Sequence, residues 1–280
     1  MNEMLKVLIP TDFTVQSEFA YLMVKNLQSA MPVEIHFLHV LAVPDTVSMD
    51  SLGNIQTCGE IDVNYVVKQR DIAQRNLDNL QSVYGNQIHT HLALGKLTDQ
   101  VIRFAEEGHY DLIVMGTKGA WGLKEKLSGS ETQMIARRSR VPLLSLMCDR
   151  SDLKIKNILM VHNFSSPANE NLNLLHKFIK AFDAQVHFLQ ITSGDPSDEM
   201  TTVEGNMAEF AAVNKIENYL CHLIKDSDIE GGVVHFNQMN NMDILCIGTH
   251  GKAGIFHQSA TEKLINHLFK PIISFQLTNS

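Results

Sequence analysis

The sequence predicts an α/β protein built from two tandem copies of one five-stranded parallel-sheet domain. The length of 280 residues suits two domains of ordinary size. Short apolar runs alternate with stretches of helical period, the pattern of a parallel sheet covered by helices. The same segments also recur in the same order. KVLIPTDF at 6–13 returns within KNILMVHNF at 156–164, placing Asn163 151 residues after Asp12. EIHFLHV at 34–40 returns as QVHFLQI at 185–191, again at 151. DLIVMGTKG at 111–119 returns as DILCIGTHG at 243–251, at 132, and VPLLS at 141–145 as KPIIS at 270–274, at 129. The order is kept while the offset shrinks, so the second copy has lost residues. The polar CDRSD segment at 148–152 marks the boundary, giving domains 1–150 and 151–280.

Taken in order, the first copy predicts strands over 6–9, 34–41, 88–94, 112–116 and 143–147. Helices are predicted over 17–29, 65–83, 98–107 and 130–138; in the first, Phe19, Leu22, Met23 and Leu27 recur near helical spacing. Pro32 fits the loop before the second strand, and Pro142 ends the last helix. The weakly patterned stretch 43–60 is expected to be a mobile connection. The second copy predicts strands over 157–162, 185–192, 221–225, 244–248 and 272–276, with helices over 167–182, 206–219, 229–240 and 261–269.

Composition narrows the function. An apolar content of 44% fills two cores, and a net charge of −8 argues against nonspecific nucleic-acid binding. The four cysteines are scattered without ligand spacing and read as reduced thiols. The N-terminus lacks the apolar core of a signal peptide, and no apolar run approaches the length of a membrane span. These features lead us to expect a cytoplasmic, soluble protein.

The chemistry concentrates between residues 112 and 147. A buried-strand pattern leads into Gly116 and Gly119, a nine-residue loop, then Gly129 and Ser130 at the start of a helical pattern. Glycines admit close backbone approach, and the unpaired N–H groups of a helix start favour an anion such as phosphate. In a doubly wound sheet, ligands sit beyond the carboxyl ends of strands where strand order reverses.

The spacing Gly-x2-Gly-x9-Gly-Ser, carried by Gly116, Gly119, Gly129 and Ser130, resembles the nucleotide loop of the universal stress protein (UspA) family. The resemblance covers nearly the whole chain, in its tandem form. It implies a Rossmann-like sheet of the adenine nucleotide alpha hydrolase-like type, with strand order 3-2-1-4-5 and the ligand crevice between strands one and four. It implies that Asp12 contacts the adenosine end, a backbone group of Val40 contacts adenine, and Gly116, Gly119, Gly129 and Ser130 hold the phosphates. Pro10, Thr11, Met115 and Glu131 complete the expected binding set. The implied ligand is ATP, with or without Mg2+. The implied role is a cytoplasmic stress-response protein using ATP as a regulatory ligand, without catalysis. No base is placed to activate water, and no acidic pair at the loop suggests a Mg2+ cage. Slow hydrolysis remains compatible with the resemblance. The last strands are implied to pair, within one chain or between chains, with an approximate two-fold axis.

Alternative roles stand beside these. Asp12 also suits a turn or helix cap, and the glycine loop a ligand-free crossover. Glu131 departs from the small apolar residue usual after Gly-Ser in the family; it fits a solvated helix start, or repels phosphate if it points inward. Lys118, Lys124 and Lys126 add positive charge near the loop, and Trp121 suits loop anchoring or base stacking. A scaffold of the same fold that binds no nucleotide is the alternative function. In the second copy Asn163 replaces Asp12 and Gln258 stands where Gly129 stands, with Ser259 matching Ser130. Gly248, Gly251 and Gly254 survive in a shortened loop, and this copy is expected to bind ATP poorly or not at all. The thirteen histidines, His36, His39, His89, His91, His187 and His235 among them, predict no metal site, because no cysteine or carboxylate partner stands at ligand spacing. His250 and His257 flank the second loop and are the pair to inspect.

Overall fold

A computed structural model describes residues 4–50, 52–58, 61–117, 131–164, 171–248, 264 and 268–275. The first half runs β1 (Leu5–Pro10), α1 (Val15–Leu27), β2 (Val33–Leu41), β3 (Val47–Met49), β4 (Ile55–Thr57), α2 (Val63–Tyr84), β5 (Ile88–Leu94), α3 (Leu97–Glu107), β6 (Leu112–Gly116), α4 (Glu131–Arg138) and β7 (Leu143–Leu146). The second runs β8 (Asn157–Val161), α5 (Asn173–Phe182), β9 (Gln185–Thr192), α6 (Pro196–Val213), β10 (Tyr219–Lys225), α7 (Ile229–Asn240), β11 (Ile244–Gly248) and β12 (Ile272–Phe275).

Ten strands form one sheet in the order β10-β9-β8-β11-β12-β7-β6-β1-β2-β5. Each half therefore repeats the expected order 3-2-1-4-5. All pairs are parallel except β7 with β12, which are antiparallel at the centre. There Leu144 faces Ile273, the residue equivalent to it in the repeat. The buried hydroxyls follow the same symmetry: Ser145 Oγ donates to the Ile272 carbonyl and Ser274 Oγ to the Leu143 carbonyl, each at 3.4 Å. The pairing of last strands is thus realised within the chain.

Strand alternation divides the core between the two faces of the sheet. Leu5, Val7 and Ile9 of β1 pack with Met23, Val24 and Leu27 of α1, while Leu8 faces Val101 and Ala105 of α3. The second half repeats this: Ile158 and Met160 join Phe178 of α5, and Leu159 and Val161 join Phe236 of α7. Each such fully buried aliphatic side chain contributes about 2 kcal/mol.

Three expectations are corrected. The stretch 43–60 contains an antiparallel hairpin, with Ser48 opposite Gln56; strands of three residues are too short for periodicity to reveal. The helix expected over 206–219 is α6, starting at Pro196 and ending at Val213. Its start is written as Asp195, whose side chain accepts from the Ser197 N–H, followed by proline at the first helical turn. Tyr219 and Leu220 instead open β10. The helix expected from 167 begins at Asn173 within the described residues. All four cysteines are free thiols, and burial pushes Cys246 up to about 12. No helix among the described residues is long and apolar enough to cross a membrane.

Candidate functional site

The strand order reverses at β1, whose chain continues to β2 on one side while β6 lies on the other. The carboxyl ends of β2, β1 and β6 place Val40, Asp12 and Gly116 side by side, on strands spaced about 4.8 Å apart. Gly119, Gly129 and Ser130 lie outside the described residues, as do Lys118, Trp121, Lys124 and Lys126. The second-copy positions Gly251, Gly254, Gln258 and Ser259, with His250 and His257, also lie outside them.

The turn from β1 into α1 is built from its own polar side chains. Phe13 sits in the left-handed region at φ 62°. Its N–H donates to Thr11 Oγ1 at 3.0 Å, and the Thr11 hydroxyl donates to Ser17 Oγ at 3.1 Å. Asp12 is exposed. Its Oδ1 accepts from the Thr14 N–H at 3.1 Å and the Thr14 hydroxyl at 2.6 Å. One carboxylate oxygen thus shapes the turn, and the carboxylate remains at the surface beside the crevice. His39 ties the turn to β2: its Nδ1 lies 2.8 Å from the Thr11 carbonyl, and its ring meets Phe13 in a tilted contact with centroids 4.6 Å apart.

Val40 is buried near the end of β2. The Leu38 carbonyl accepts from Thr11 on the β1 side, whereas the Leu41 carbonyl accepts from Gly95 on the β5 side. By this alternation the backbone of Val40 points toward β1, past Pro10, the last residue paired with β2. Met115 is 8% exposed and belongs to the core under α3.

Gly116 has a packing reason of its own. A Cβ there would lie 1.9 Å from the backbone oxygen of Gln16, so only glycine lets the end of β6 press against the start of α1. The next residue, Thr117, is buried, and its hydroxyl has no hydrogen-bond partner among the described residues. Glu131, at the start of α4, accepts from the hydroxyl of Thr98 at the start of α3. The residue is exposed, and this bond gives its carboxylate a partner within the protein.

A cavity of about 400 Å3 opens between α1 and α2 and touches the turn through Thr11, Phe13 and Thr14. It is lined further by Phe37, Leu80 and Tyr84, and by neither Asp12 nor Gly116. The cavity is a groove beside the crevice rather than the crevice itself.

In the second half the equivalent turn is sealed. His162 replaces Thr11 and its Nδ1 accepts from the Phe164 N–H at 2.8 Å. Phe164 is 1% exposed and packs at 5.0 Å on Phe188 and 5.2 Å on Phe210. Burial lowers His162 from 6.5 to about 4, keeping its ring neutral.

The reading of the histidines is corrected on one point. Glu34 Oε1 stands 2.7 Å from His36 Nε2 and 3.8 Å from His89 Nε2, so a carboxylate partner does exist. Glu34 stands two residues before His36 on β2, a spacing that puts both on one face, while His89 of β5 joins them only through strand register.

The universal stress protein family model matches residues 4–146. A universal stress protein of Methanocaldococcus jannaschii is 27% identical over 139 residues, spanning 50% of this chain and 79% of the relative. A second from the same organism is 26% identical over 149 residues, spanning 50% and 92%. A universal stress protein structure from Archaeoglobus fulgidus superposes with a TM-score of 0.69 at 18% identity, over 97% of this chain and 96% of that one. That similarity covers both halves and speaks to the fold.

Proposed function

The chain belongs to the universal stress protein family, whose model matches about half of it, and from that premise we propose that residues 1–150 bind ATP as a regulatory ligand. Residues 151–280 serve as the paired copy that does not bind it. The observation carrying this reading is the meeting of Asp12, Val40 and Gly116 at one reversal of strand order. Each offers what an adenine nucleotide requires. The carboxylate of Asp12 accepts from ribose hydroxyls. The backbone of Val40 matches the polar edge of a base. Gly116 packs against the start of α1 and leads β6 into the glycine loop that would take the phosphates, and the Thr117 hydroxyl, without a partner among the described residues, is a further donor. Pro10, Thr11 and Met115 hold this frame, and Gly119, Gly129 and Ser130 continue it along the chain. The bond from Thr98 to Glu131 supports a nucleotide-compatible α4, since it gives that carboxylate a partner in the protein. The role is binding rather than turnover, in keeping with the lack of a water-activating base in the sequence.

The test is equilibrium binding of ATP, with and without Mg2+, to the wild type and to Asp12→Ala. One site per chain is expected, weakened about tenfold or more in the variant by loss of the charged acceptor. Absence of binding at millimolar ATP would overturn the reading. Two sites per chain would refute the silent second copy.

A further inference from the structure

We propose that Glu34, His36 and His89 form a binding site for a divalent transition-metal cation of the zinc class, at the amino ends of β2 and β5. This is the end of the sheet away from the crevice, and the site does not depend on nucleotide binding.

The sequence places the three residues by strand geometry alone. Glu34 and His36 are two apart on β2, so they share a face, and parallel register sets His89 of β5 directly beside His36. The three ligand atoms all lie within 4.8 Å of one another. Zinc bonds of about 2.0 Å put tetrahedral ligand atoms about 3.3 Å apart. The separations of 2.7 Å and 3.8 Å from Glu34 Oε1 bracket that value. The His36 and His89 rings lie stacked with centroids 4.5 Å apart, so the exposed His89 ring turns to bring both nitrogens onto one ion. Two imidazoles and one carboxylate form a three-ligand set with an open fourth position, which water fills.

The second layer is also present. His36 Nδ1 lies 2.9 Å from His91 Nε2, and the His91 ring rests on Phe104 at 4.8 Å. With its Nδ1–H donating to His91, His36 leaves Nε2 for the cation in a fixed orientation. Access is graded: the side chain of His36 is 9% exposed, Glu34 29% and His89 53%. An ion reaches the site through His89 and is held by a ligand anchored in the core. Lys6 is a positive charge that bears on this face; its Nζ donates to the Gly108 carbonyl and lies over the Tyr110 ring at 4.5 Å.

The second half provides an internal control. His187 Nδ1 and His222 Nε2 repeat the histidine pair at 3.0 Å. In place of Glu34 stands Gln185, and beside His187 in register stands Leu220. The pair is therefore common to both halves, while the two more exposed ligands belong to the first half alone. A sheet of this kind does not need them.

The experiment is a Zn2+ titration of the nucleotide-free chain against a chromophoric chelator. Wild type is compared with His89→Ala, Glu34→Gln and His222→Ala, and Co2+ absorption reports coordination number. The proposal expects one Zn2+ per chain and an intense tetrahedral Co2+ spectrum. It expects affinity at least tenfold weaker in His89→Ala and in Glu34→Gln, and unchanged in His222→Ala. Zn2+ binding that persists undiminished in both first-half variants would overturn it, as would no binding at 100 µM Zn2+. His89 is exposed, so its replacement leaves folding intact and keeps the outcome readable.

Discussion

The two halves use one backbone turn for opposite ends. After β1 and after β8 a phenylalanine adopts the left-handed conformation, Phe13 at φ 62° and Phe164 at φ 50°. In each, the phenylalanine N–H is caught by the side chain two residues earlier, Thr11 Oγ1 or His162 Nδ1. In the first half the turn is open: Asp12 is exposed and a cavity of about 400 Å3 lies alongside. In the second, Phe164, Phe188 and Phe210 close over the turn. Turn geometry is thus a property of the fold, and whether the turn is open or closed is set by a few side chains laid on it.

The sharpest way to break this comparison is to remove the two phenylalanines separately. Phe164→Ala vacates a sealed aromatic cluster and is expected to cost about 4 kcal/mol. Phe13→Ala, half-buried beside an existing cavity, is expected to cost about 1 kcal/mol. Urea denaturation of both variants measures this, and equal losses would mean that the two turns are packed alike.

The pH dependence separates them next. Burial holds the folded pKa of His162 near 4, below its ordinary 6.5. Between these values the unfolded chain binds more protons, so stability falls as pH drops from 6.5 toward 4 and this contribution flattens below. The loss reaches about 3 kcal/mol by pH 4. His162→Thr, which installs the first-half residue, should lose correspondingly less over that range in thermal or urea titrations. An identical pH profile in the variant would show that His162 is not the group responsible.

The smallest effect concerns how the halves are tied. Lys177 of α5 meets Asp111, just before β6, at 2.8 Å across the boundary. Both groups are part-exposed, so Lys177→Ala should cost about 0.5 kcal/mol and lose that effect in high salt. A second transition appearing in the unfolding curve of this variant would instead mean that the pair holds the halves together.

Much of the fold was legible because periodicity was strong. β5, β6, β9, β11 and α7 have the bounds that the apolar patterns give. What escaped had weak or non-local signals. The hairpin of β3 and β4 is too short for a period, and the polar first turn of α6 is marked by Asp195 and Pro196, ahead of the apolar stripe of Val203, Met207, Phe210 and Ala211. The sequence motif reads Gly116 as a glycine of a ligand loop; its contact with the backbone of Gln16 is a packing demand that only the assembled sheet reveals. The cluster of Glu34, His36 and His89 likewise needs the register of β5 on β2 before it exists. The later glycines of the loop, Gly119 and Gly129, and Ser130 rest on the motif alone.

The antiparallel seam of β7 and β12 has a consequence for inheritance. A two-fold dimer made of identical chains must carry every substitution twice, once on each side of its axis. Here the two sides are written at separate places in one polypeptide, so Asp12 can stay while its counterpart becomes Asn163, and His89 can face a Leu220. Pairing is also independent of protein concentration, because the partner is covalently attached. The seam turns a symmetric assembly into one whose two faces are free to diverge.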